Sequence, residues 1–111
     1  MTLKQLLRVL HEYDTLLEQR DHLNGARRFE ARNSPFADAL DGLSHVRWMC
    51  QEVVRFLPSH NVSAGEPPPD PKEAQAKLEK AMRWLGFIQG VLWATGVRTI
   101  DEMRADNTRP A

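Results

Sequence analysis

A chain of 111 residues with 41% hydrophobic and 27% charged residues has the make-up of a single soluble globular domain, residues 1–111, and excludes global disorder or a membrane protein as the starting point. Fifteen basic side chains balance fifteen acidic ones, which removes the overall positive field of a dedicated nucleic-acid binder. The single cysteine, Cys50, rules out an internal disulfide and, lacking a Cys/His cluster, suggests no structural zinc; a reducing compartment, the cytoplasm, fits.

The first predicted helix runs from Leu3 to Leu23, with Leu3, Leu6, Leu7, Leu10, Tyr13, Leu16, Leu17 and Leu23 at the three-and-four spacing of one face. Thr2 suits its N-cap, Gly25 after Asn24 its stop, and Lys4, Arg8, Glu12 and Glu18 are expected in water. This amphipathic N-terminus lacks the apolar run and cleavage site of a signal peptide, so export is not expected. Ser34 and Pro35 restart a helix whose stripe is Phe36, Leu40, Leu43, Val46, Cys50, Val53 and Leu57, closed by Pro58. Residues 58–71, PSHNVSAGEPPPDP, read as an extended, semi-rigid crossover.

Asp70, Pro71 and Glu73 open the third helix as an Asp-x-x-Glu capping box. Ala74, Leu78, Ala81, Leu85, Ile88, Leu92 and Thr95 then form a heptad seam, which Gly96 ends. Thr99 and Glu102 make another capping box, starting a short helix TIDEMRAD, and the tail 107–111 is expected to fray. The pattern predicts an all-α, three-helix antiparallel bundle with a short fourth helix and a Pro-rich crossover.

Within the third helix, only Gln89 and Thr95 are polar between Trp84 and Val97. At about 21 Å of helix this stretch is too short to span the roughly 30 Å of a bilayer core, so it reads as buried. An apolar helix needs cover on several sides. Gly86 and Gly90, one turn apart, each cost about 1 kcal/mol relative to alanine, which a closely approaching neighbour would offset. Helix one or two of the same chain, a second copy, or a ligand could fill that face. A homodimer through Trp84, Gly86, Phe87, Gly90, Trp93 and Val97 is the expectation, with Trp84 and Trp93 as interface anchors and Trp48 a further tryptophan in need of a partner. Accordingly, Gly90→Leu is expected to disrupt folding or dimerisation more than Ala76→Leu.

Arg20, Arg27, Arg28 and Arg32 gather positive charge between helices one and two. They are either a solvated turn, with Glu30 as partial counter-ion, or a grip for an acidic protein or for nucleic acid, with Phe29 able to stack on a base. Glu18 with His22 and Asp41 with His45 are helical carboxylate/imidazole pairs of a kind that binds metal, but they more commonly form surface ion pairs. Glu18 and Asp21 spell ExxD without the ExxE partner of helical nucleotide pyrophosphatases. His11, Tyr13 and Asp14 have no nucleophile placed beside them, and Cys50 reads as a small core residue. No cofactor, metal site or enzymatic activity is therefore expected.

The C-terminal third, EKAMRWLGFIQGVLWATGVRTIDEMRADN, resembles the ending of small uncharacterised helical accessory proteins of tailed bacteriophages and prophages, on RWLGFIQGVLW followed by TIDEMR. The resemblance implies a phage-borne protein in the cytoplasm of a bacterial host that acts by binding a host or defence protein, and it brings no catalytic residues.

Overall fold

The computed structural model describes residues 1–20, 26, 39–57 and 70–110, and among them the regular structure is entirely helical: α1 (Leu3–Arg20), α2 (Ala39–Phe56), α3 (Pro71–Ala94) and α4 (Ile100–Thr108). The restart at Ser34–Pro35 and most of the 58–71 crossover lie outside the described residues. No described helix is long and apolar enough to cross a membrane.

The start of α1 follows from its first residues. The Gln5 amide donates to Thr2 Oγ1 at 3.1 Å and the Thr2 amide to Gln5 Oε1 at 2.6 Å, so each satisfies a donor that the first turn leaves over. Leu6, Val9, Leu10, Tyr13 and Leu17 are buried along one face. They meet Leu43, Val46, Met49, Cys50 and Val53 of α2, together with Leu57 just beyond it, and Ala81, Leu85, Ile88 and Leu92 of α3 in one core. Each aliphatic side chain so enclosed contributes about 1.5–3 kcal/mol by leaving water. The heptad seam is borne out, since its members are all buried or half-buried.

Polar and aromatic contacts fix how the helices meet. Asp14 Oδ1 accepts from Arg47 at 2.9 Å and Gln51 at 3.1 Å, while Glu18, a turn later in α1, approaches Arg47 at 3.9 Å. Between α2 and α3, His45 lies against Phe87, Trp48 and Phe56 against Trp84, and Lys80 over the Phe56 ring. Phe56 and Trp84 meet edge to face at 5.3 Å, with the Lys80 ammonium 4.6 Å from the Phe56 ring centre.

The end of α3 is a two-bond stop. The Gly96 amide donates to the Trp93 carbonyl and the Val97 amide to that of Leu92, with Gly96 at φ +77°, a conformation that suits glycine. At its start, Asp70 accepts from the Lys72 amide at 3.0 Å, while Glu73 faces Lys77 at 3.2 Å. Asp70 is therefore a simple N-cap, and Glu73 joins an ion pair in place of the expected capping box. In α4 the box is complete: the Glu102 amide donates to Thr99 Oγ1 and the Thr99 amide to Glu102 Oε1.

The expected fraying from Asn107 is corrected. α4 continues through Thr108, and the Arg109 and Pro110 carbonyls accept from the Arg8 guanidinium, which also reaches the Asp106 carbonyl. Arg109 in turn donates to Glu12. Arg8, expected in water, thus turns its two terminal nitrogens to carbonyls at and just past the end of α4, while its buried Nε has no hydrogen-bond partner among the described residues.

Candidate functional site

Among the described residues, exposed large apolar side chains gather on the outer side of α3. Gly86 and Gly90 are exposed, and a Cβ built on either would meet none of the described residues within 4 Å, so neither α1 nor α2, as described, packs on the glycine face. Packing of these two helices on the glycines is therefore overturned, because the heptad seam turns the glycines away from the core. Around them Trp93 is 57% exposed, Phe87 47% and Met82 40%, with Ile100 at 48% beside the helix end. At about 100° per residue, Gly86 and Gly90 mark the middle of the exposed side, Met82 and Trp93 flank it on one edge, and Arg83 and Ala94 on the other. Phe87 closes the side nearest α2, its ring 6.2 Å from that of His45.

The remaining expected interface residues belong elsewhere. Trp84 is half-buried against Trp48, Phe56 and Lys80 of its own chain. Val97 is only 9% exposed, closing the core beneath the α3 stop. The causes differ: helical spacing turns Trp84 toward α2, whereas Val97 lies past the end of α3, where the turn at Gly96 folds the chain back over the core.

Beside Trp93 a groove of about 500 Å³ opens between the end of α3 and the start of α4, lined by Trp93, Gly96, Arg98, Thr99, Ile100 and Asp101. Its floor is held by a polar knot. Asp106, 3% exposed, accepts from Arg98 at 3.1 and 2.5 Å and from the Tyr13 hydroxyl at 2.8 Å. Gln89 donates to Tyr13 Oη at 3.1 Å and to Asn107 Oδ1 at 2.7 Å, and the Asn107 amide returns a bond to Gln89. Arg98 also meets Glu102 at 2.7 Å. The pair with Asp106 raises the Arg98 pKa, burial raises that of Tyr13, and the bond from the Thr99 amide holds the Glu102 carboxyl below its usual value. Every member is bonded, so the knot rigidifies the junction of α1, α3 and α4.

Sequence reasoning missed this knot. Gln89, one of two polar residues in the apolar run, was its single visible signal; Asp106 closes the expected short helix and Asn107 sits where fraying was expected.

Among the described residues no group of three His, Cys, Asp or Glu side chains could hold a metal ion. Glu18 approaches Arg47 and His45 stacks 5.7 Å from Trp48, while His22 and Asp21 lie outside the described residues. His11 is exposed, Tyr13 buried in the knot, and Asp14 engaged by Arg47 and Gln51. Cys50 is 1% exposed, and burial, with the Asp14 carboxylate adding to it, pushes its thiol up to about 12, which keeps it un-ionised at neutral pH. Of the arginine cluster, Arg20 is exposed at the end of α1; Arg27, Arg28 and Arg32 lie outside the described residues. No protein-family model, no curated protein and no solved structure matches the chain.

Proposed function

We propose that this chain is a non-enzymatic protein-binding module, an antiparallel helical bundle that presents the outer side of α3 to a protein partner, with a homodimer as one form of that association. The observation that carries this reading is the joint exposure of Met82, Phe87 and Trp93 around two uncovered glycines. Contiguous exposed apolar surface of this kind marks interaction sites, and aromatic anchors dominate the energy of such contacts. The bundle supports the reading by holding the face rigid. Pairings of Asp14 with Gln51 and Glu18 with Arg47, and of His45 with Phe87 and Phe56 with Lys80, run in opposite chain directions, as in antiparallel neighbours. The likeness of the C-terminal third to accessory proteins of tailed phages supports placing the module in a bacterial cytoplasm, acting on a host or defence protein.

The test compares a tagged wild-type chain with Phe87→Glu and Trp93→Glu, and with Val54→Glu on α2 as a control at another exposed apolar position. The expected outcome is a protein partner retained by wild type and Val54→Glu and lost by the two α3 variants, all four melting alike. Equal retention by all four would contradict the reading.

A further inference from the structure

Resting on the reading of α3 as a binding face, we infer that its occupant is a second copy of α3 packed antiparallel, about a two-fold axis passing midway between Gly86 and Gly90. Such a contact is self-complementary: Gly86 of each copy meets Gly90 of the other, and two backbones without Cβ atoms approach closely. A helix with a large residue at either position could not come so near.

Three features favour this register over a parallel one. First, the two-fold keeps each flank on its own side, so Met82 of the second copy lies against Trp93 and the groove beside it, which Gly96, Thr99 and Ile100 line. A flexible thioether on an indole is a favourable pair, and the groove gives the knob a hole. Second, like charges are kept apart only in this sense. Glu79 and Arg83 are exposed on the same side of α3, and neither makes a salt bridge with another described residue. A parallel pair would set Glu79 against Glu79 and Arg83 against Arg83, whereas the antiparallel pair separates the like charges and lays the Arg83 stem along Ala94 of the second copy. Third, antiparallel helices oppose their macrodipoles, so the positive start of one lies beside the negative end of the other.

The test is disulfide trapping with two separately purified variants, Arg83→Cys and Ala94→Cys, both residues being exposed. Cys50 stays in place, since at 1% exposure it does not exchange. In the proposed register positions 83 and 94 of different copies adjoin, while 83 is about 15 Å from its own counterpart along the helix axis, and 94 about 18 Å from its own. Mild oxidation of the mixture should give covalent dimer, and each variant alone should give none. Covalent dimer from each variant alone, with no gain on mixing, would overturn the antiparallel register. No covalent dimer under any condition, with wild type monomeric at several hundred micromolar, would overturn the second copy as occupant. In that case, loss of a different partner by Trp93→Glu would still uphold α3 as a binding face, so the two readings fail separately.

Discussion

Replacing Arg98 by methionine keeps most of the side-chain volume and removes the cation from the polar knot. Asp106, at 3% exposure, would lose both guanidinium bonds and keep the Tyr13 hydroxyl as its remaining side-chain donor. Breaking a fully buried ion pair from one side costs about 3–5 kcal/mol, because a charge is left unpaired in a poor solvent. The Arg98 side chain is 23% exposed, so water relieves part of that cost and about 2–4 kcal/mol is expected. Against a total of about 5–15 kcal/mol for a domain of this size, such a loss is large. Urea unfolding followed by circular dichroism should show the midpoint falling by about 1–2 M at pH 7, for a slope near 2 kcal/mol/M. Adding Asp106→Asn should recover part of the loss, because it removes the charge left without a partner. A midpoint shift under about 0.3 M at pH 7, or no recovery in the double variant, would refute the buried-pair reasoning.

At Gly90 a Cβ enters open space, so Gly90→Ala should stabilise the dilute protein by about 0.5–1 kcal/mol, seen as a higher melting temperature. Gly90→Leu should fold as well as wild type and lose self-association, which leaves only the dimerisation half of the expectation drawn from sequence; an unfolded variant would contradict the open face. Thr99→Ala removes the α4 cap and should cost about 1 kcal/mol by urea titration. Because the folded state holds Cys50 neutral up to about 12, stability is intact below about pH 9 and falls as pH rises toward 12. The raised Tyr13 pKa adds a second loss above about pH 10, so Cys50→Ala should delay the onset of alkaline unfolding without abolishing it.

Much of the fold was legible because it is periodic. Leu6, Leu10, Tyr13 and Leu17 repeat along α1, and Ala81, Leu85, Ile88 and Leu92 along α3, so buried faces follow from spacing alone. Local stops were legible for a related reason: Gly96 and the Thr99/Glu102 box act within a few residues of themselves. The knot was not. Arg8 and Asp106 are 98 residues apart, and Tyr13 and Asp106 are 93 apart; such pairings leave no periodic trace. The tail was misjudged for that reason, since its anchor lies on α1. The candidate face was half legible. Gly86, Gly90 and the aromatics around them announced a need for cover, but the packing of Trp84 on α2 and the inward fold of Val97 past the Gly96 turn do not follow from the spacing of α3 alone.

Sedimentation equilibrium of the wild-type chain beside Trp93→Glu is the most direct measurement of whether the outer side of α3 is a binding face closed by a second copy. Wild type should approach twice the 12.7 kDa chain mass as concentration rises, and Trp93→Glu should hold at the single-chain mass with an unchanged helical spectrum. A wild type that stays at one chain mass through several hundred micromolar, or a Trp93→Glu variant that dimerises equally well, would contradict it.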